Sequence, residues 1–226
     1  MINEDNLFYL KEFLPFFNEL SKDELNKLLS ISHIQNYSKG DLINSKYSSN
    51  CSGIILVLKG QIRSFIHSKS GKEITIFRLL SRDFCLLSAS CAFKNMSYDV
   101  SLEAEENSLV LIINGAYFKS LSDSNIHVQK FLFDLTQDKL SEVLCLIEDI
   151  VFLSFDKRLS KFLINESFLQ NTTTLNITHD SIANNLGSAR EVVSRMLKKF
   201  ELLNILKLHR GKIELIDKTK LIELSK

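Results

Sequence analysis

Between Val128 and Val151 apolar side chains recur every three or four residues: Val128, Leu132, Leu135, Leu140, Val143, Leu144, Ile147, Ile150 and Val151. Gln129, Lys130, Asp138, Lys139, Glu142 and Glu148 lie between them, and neither glycine nor proline interrupts residues 125–155. This spacing predicts a single helix over 125–155. At 1.5 Å per residue it would be about 45 Å long, too long to hide its apolar stripe in a small domain. The simplest cover is a second copy of itself in a parallel coiled coil. Cys145 lies either near that seam or against the helix's own N-terminal domain.

The pattern differs on either side of this rod. Leu7, Leu10, Phe13 and Leu14 keep helical spacing until Pro15, and Ser21-Lys-Asp-Glu24 reads as a capping box opening a second helix, so residues 4–36 are helical in pattern. From Ile34 to about Ile113 the pattern turns to strands. Ile54-Ile-Leu-Val-Leu58 is a short buried strand stopped by Lys59-Gly60; Gln61–His67 alternates; Ser68-Lys-Ser-Gly71 is a hairpin turn into Lys72–Leu80. Short strands between glycine turns predict an antiparallel roll or barrel. Beyond the rod, Asp156 reads as the N-cap of a helix over 157–166. Asn171-Thr-Thr-Thr174 is a polar loop with strand propensity, and Lys218–Lys226 a polar tail.

Residues 177–200 carry the most specific pattern. Thr178 can cap a first helix with Ile182, Ala183 and Leu186 on its apolar face, and the small Ala183 lets another helix cross closely. Gly187 can take the left-handed conformation that ends it. Ser188 and Glu191 read as a second capping box. Val192, Val193, Met196, Leu197 and Phe200 then hold a second helix down, and Arg190, Glu191, Ser194 and Arg195 fall on its other side. This is the design of a helix-turn-helix, whose second helix enters the major groove by its N-terminal end. Arginine can donate two parallel hydrogen bonds to guanine O6 and N7, and glutamate can accept from the cytosine amino group. Arg190 and Arg195 are therefore candidates for guanine edges or phosphates, and Glu191 for a cytosine. Thr178, Ser188 and Ser194 are candidates for phosphate contacts. A solvated amphipathic helix would show the same periodicity; the glycine corner favours the DNA-reading alternative.

Gly187-Ser-Ala-Arg-Glu-Val-Val-Ser-Arg195 resembles the recognition-helix segment of the Crp/Fnr family of bacterial transcription regulators. The likeness continues through Leu206–Ile216, two short strands around Gly211 that read as the wing of a winged helix. It extends back to Lys59-Gly60, Ser70-Gly-Lys-Glu73 and Arg82-Asp-Phe84, which are similar to turns of the family's cyclic-nucleotide-binding fold. The resemblance implies an α+β chain: a β-roll sensor with helical lead-in over 1–124, a dimerisation helix over 125–155 and a winged helix-turn-helix over 156–226. It also implies a cytoplasmic homodimer on an inverted-repeat operator in double-stranded DNA, an effector-controlled activator or repressor in contact with RNA polymerase.

The effector site departs from the family pattern. After the corresponding turn, cyclic-nucleotide binders carry a Gly-Glu pair and a later Arg-Ser or Arg-Thr; beyond Arg82-Asp-Phe84 this chain has neither, and no arginine between Arg82 and Arg158. A buried phosphate without a cation is costly, so tight cyclic AMP binding is not expected. Phe84-Cys85-x-x-Ser88 resembles the segment bearing an axial haem cysteine in the gas-sensing member of the family, although Leu87 stands where that protein has histidine. His67 and His127 are further conceivable ligands. Three alternatives stay open: haem at Cys85, thiol redox chemistry at Cys85 or Cys91, or two small hydrophobes filling a core. No cysteine precedes Cys51, which argues against the N-terminally ligated iron–sulfur cluster of Fnr-type sensors.

Composition adds limits. The net charge of +1 does not advertise nucleic acid, so the basic stripe must be local: Arg190, Arg195, Lys198, Lys199, Lys207, Arg210 and Lys212 supply it. Four separated cysteines without a Cys-x-x-Cys pair predict neither a disulfide framework nor a zinc knot. No signal peptide or membrane-spanning run is expected. No Ser-His-Asp set, metal spacing or phosphate loop points to an enzyme.

Overall fold

The computed structural model describes residues 4–44, 53–86 and 100–226. The described residues fall into two units, one within 1–66 and 76–143, the other within 67–75 and 144–226.

In the first unit two helices, α1 (Glu4–Phe13) and α2 (Lys22–Ser30), precede eight strands: β1 (Ser32–Tyr37), β2 (Leu42–Asn44), β3 (Ile54–Lys59), β4 (Ile62–His67), β5 (Glu73–Leu79), β6 (Phe84–Cys85), β7 (Ser101–Ala104) and β8 (Ser108–Ile113); the end of β4 at His67 and the start of β5 through Thr75 belong to the second unit. The Ser21–Glu24 capping box forms as read, with both reciprocal bonds present. The helical pattern ends sooner than expected, because Ser32–Asn36 pair with β8 as strand. Two four-stranded antiparallel sheets result, in the orders β1-β8-β3-β6 and β2-β7-β4-β5. Ile55, Val57, Ile62, Leu79, Leu102 and Val110 form one core of this roll. The alternate residues of β3, Ile54, Leu56 and Leu58, join a second core with Leu10, Leu28, Phe118 and Val128 from the helices. With both faces covered, β3 reads as an unbroken apolar run rather than an alternation. The Lys59-Gly60 stop is steric as well as conformational: Gly60 has φ +93°, and a Cβ there would sit 2.4 Å from Ser108 Oγ.

Helix α3 (Gly115–Ser124) leads into α4 (Ile126–Phe152), 27 residues long, about 40 Å. The rod is thus slightly shorter than 125–155, and its apolar stripe serves two purposes. Val128, Phe131, Leu132 and Leu135 pack into the core beneath α1–α3. Phe133, Leu140, Leu144, Ile147 and Val151 stay exposed in a single copy of the chain, at 61%, 57%, 57%, 49% and 62%. Their spacing of seven, four, three and four is a heptad seam.

The second unit holds α5 (Phe155–Leu169), β9 (Thr174–Leu175), α6 (His179–Leu186), α7 (Arg190–Leu202), β10 (Leu206–His209), β11 (Lys212–Leu215) and α8 (Lys218–Ser225). Two sequence expectations need correction. Ser154, not Asp156, is the N-cap residue of α5; Asp156 lies in the first turn and accepts from Ser154 Oγ, which holds its carboxyl below the usual range. The helix begins two residues early, which puts Phe155 in its first turn against the core of Leu159, Phe162 and Leu163. The tail read as polar is a helix with a buried side: Asp217 accepts from the Lys220 amide to cap α8, and Leu221 is fully buried. Leu221, Ile222 and Leu224 among polar neighbours are a weak signal in sequence, but burial against α5 selects the helix.

Candidate nucleic-acid interface

Each turn of the helix-turn-helix has a local cause. Thr178 Oγ1 accepts from the Ser181 amide at 3.1 Å and starts α6. Gly187, at φ +64°, ends it, and the amides of Gly187 and Ser188 both reach the Ala183 carbonyl. Arg158 Nη1 donates to the Leu186 carbonyl at 3.2 Å, so the α6 terminus is also held from α5. Asn185 is buried in α6; its Oδ1 accepts from Thr75 Oγ1 at 2.7 Å. A Cβ on Gly187 would approach Ile74 Cδ1 to 2.9 Å. Gly187→Ala is therefore expected to destabilise this unit by about 1 kcal/mol from the left-handed backbone alone, with the Ile74 contact adding to it. An unchanged urea midpoint would show that the turn has another geometry.

The second capping box does not form. Ala189 is the N-cap residue of α7 and makes no side-chain cap bond, so Ser188 stands one position too early to reach the N3 amide. Its amide closes α6 instead. The two helices are therefore joined through the backbone of Gly187–Ala189, with no serine cap.

Val193, Leu197 and Phe200 anchor α7 in a core shared with Ile182, Ala183, Leu206 and Ile213. Arg190, Glu191, Ser194, Arg195 and Lys198 line a shallow concavity on its outer side. Four of the sequence candidates thus lie together: Arg190, Glu191 and Arg195 exposed, Ser194 half-buried. Thr178 is exposed at the α6 cap, and Ser188 is half-buried in the turn. Lys212 is exposed on β11 of the wing, which follows from the antiparallel β10–β11 pair around Gly211.

Sequence reasoning missed His179 and Asp180. His179 Nδ1 is hydrogen-bonded to Ser194 Oγ at 2.7 Å, and Arg190 Nη1 lies 3.2 Å from Asp180 Oδ2. The only clue in sequence was their place in the first turn of α6, directly after the Thr178 cap. Burial, and then the Arg190 charge, hold the His179 ring below the usual imidazole value of 6.5, while Asp180 pulls the other way. The folded chain therefore binds fewer protons here than the unfolded chain once the pH falls below the usual imidazole range, and stability is lost there. The wild type is expected to lose more stability than His179→Gln between about pH 7 and about pH 5, measured by urea unfolding. Equal losses would mean that the ring has no linked proton.

Elsewhere, Cys85 lies in β6 opposite Ile55, 1% exposed within the aliphatic roll core. Seating a macrocycle against its sulfur would require that core to open. Cys51, Cys91, Leu87 and Ser88 lie outside the described residues, and Cys145 is exposed on α4. His67 is 3.9 Å from Glu73, and His127 is 3.6 Å from Glu19. Among the described residues no group of three or more His, Cys, Asp or Glu side chains is placed to hold a metal ion. No described helix is long and apolar enough to cross a membrane.

Two family models match: a Crp-like helix-turn-helix domain over residues 157–224 and a cyclic nucleotide-binding domain over 34–125. A Crp/Fnr-family protein from Eubacterium rectale ATCC 33656 superposes with a TM-score of 0.91 at 37% identity, covering 95% of this chain and 99% of that one. An anaerobic regulatory protein from Pasteurella multocida is 26% identical over 94% of this chain and 78% of its own length. The cAMP-activated global transcriptional regulator Vfr from Pseudomonas aeruginosa is 26% identical over 78% of this chain and 86% of its own. With its antiparallel roll, long helix and helix-turn-helix, the chain belongs to the Crp/Fnr family, whose members are DNA-binding transcription regulators rather than enzymes.

Proposed function

We propose that the chain acts as a homodimer that reads an inverted-repeat operator through α7, under control of an effector in the β-roll. One observation carries this reading: Arg190, Glu191, Ser194, Arg195 and Lys198 line one open concavity on the outer side of the second helix of a helix-turn-helix. Donors and an acceptor converge where a major-groove helix meets base edges. Thr178, Ser188 and Lys212 serve as flanking phosphate contacts in this reading. Residues 1–124 sense, 125–155 pair and 156–226 bind DNA, with RNA polymerase as the partner of the bound dimer. Selection from a pool of randomised duplexes is expected to return an inverted repeat with half-sites about one helical turn apart. Recovery of unrelated sequences would refute it.

Cyclic AMP is not the effector in this reading. The relative Vfr is cAMP-activated by its name, but here Arg63 and Arg78 of the roll are engaged by Glu103 at 2.9 Å and Glu105 at 2.6 Å. No further arginine occurs between Arg82 and Arg158 to neutralise a buried phosphate. Calorimetric titration with cyclic AMP is expected to show no binding tighter than about 10 µM, roughly 7 kcal/mol. Tighter binding would overturn this part.

Cys85 is, in the same reading, a core residue. A thiol reagent is expected to modify exposed Cys145 in the native protein and to reach Cys85 only on unfolding. Fast native modification at Cys85 would favour thiol sensing. Whatever the effector, it must bind the two dimer arrangements with different affinities to switch between them.

A further inference from the structure

The ion pair between Asp180 and Arg190 is poorly explained as a stabilising contact. Its side chains are 60% and 63% exposed, and pairs so exposed contribute little to stability. It also places a carboxylate on the surface that would meet DNA phosphates, which is unfavourable for any backbone contact. Its geometry suggests another role. A guanidinium has five donors in a rigid fork. Asp180 takes one edge through Nη1, so the fork is oriented before DNA arrives and other donors remain for a base. Without such a partner, the rotamer freedom of Arg190 would have to be lost on binding.

The neighbouring contact follows the same logic. Ser194 has a single hydroxyl proton. When Nδ1 of His179 presents its lone pair at 2.7 Å, that proton points inward and Ser194 offers only lone pairs to DNA. When the imidazole is protonated, it donates, and the Ser194 proton turns outward. The charged groups beside the ring are Asp180 on its own helix and Arg190 on α7.

We propose that Asp180 and His179, in the first turn of α6, are positioning residues for DNA reading: Asp180 orients the Arg190 fork, and His179 sets whether Ser194 meets DNA as acceptor or donor. This rests on α7 being the reading helix, as argued under Proposed function. Asp180 thereby weakens binding to all DNA while sharpening the preference at one base pair.

The test uses the full-length protein, its selected operator and a scrambled duplex. Asp180→Asn is expected to raise affinity for the scrambled duplex by about threefold and to reduce discrimination at the Arg190-dependent base pair by about fivefold. Asp180→Glu should restore part of that discrimination, and Asp180→Asn should change it no further in an Arg190→Ala background. A merely structural role would lower both affinities together. In a second arm, the contribution of Ser194 to operator binding, read as wild type against Ser194→Ala, is expected to change between about pH 8 and about pH 5.5, a change absent in a His179→Gln background. If Arg190→Ala abolishes a base preference that Asp180→Asn leaves intact, the Asp180 role is overturned while the reading helix stands. Identical pH profiles for wild type and His179→Gln overturn the His179 role. No base preference dependent on Arg190 or Arg195 overturns both the inference and the reading beneath it.

Discussion

Replacing Leu144 and Ile147 together with glutamate is expected to convert the proposed dimer to a monomer and to weaken operator binding by about 10²–10⁴-fold, since two tethered readers become independent. The exposed seam from Phe133 to Val151 has no other described cover, and two pairs of like charges in its middle would face one another across a parallel dimer. Because both positions are exposed in a single copy, the fold of each chain should persist. Sedimentation equilibrium and circular dichroism check the two halves of this statement. A double variant that remains dimeric with full operator affinity would show that copies pair elsewhere.

Arg190→Ala is expected to lower affinity for the selected operator by about 1–3 kcal/mol and to relax preference at a single base pair. The side chain is 63% exposed, so its removal leaves the core of this unit intact. Affinity for scrambled duplexes should fall less, because the loss includes a base-edge contact as well as one positive charge. The comparison with Arg195→Ala separates base reading from phosphate anchoring. A side chain on a phosphate weakens all duplexes alike and reduces the salt dependence by about one counterion. Binding of Arg190→Ala indistinguishable from wild type on both operator and scrambled DNA would remove Arg190 from the interface.

Local chemistry was legible along the chain. Ser21 and Glu24 form their capping box, Thr178 caps α6, Gly187 takes the left-handed turn, and the β10–β11 wing forms around Gly211. Each depends on residues a few positions apart, so periodicity and side-chain type suffice. The same holds for the grouping of Arg190, Glu191, Ser194 and Arg195, because helical spacing alone puts them on one side. Other features depended on partners distant in sequence. Whether the last residues form a helix was decided by a core place for Leu221. The division of the α4 stripe into an inner part and an open seam was decided by where the roll's helices dock, and heptad spacing is the same for both. His179 and Asp180 became visible only when α6 and α7 crossed and brought them to Ser194 and Arg190. Sequence alone thus determined most of the elements, the Ser21 and Thr178 caps and the grouping of Arg190, Glu191, Ser194 and Arg195 on one side of a helix, because those follow from backbone preference and short-range spacing. Tertiary structure decided which apolar surfaces stay open and which polar side chains meet, because burial and pairing depend on groups far apart in the chain.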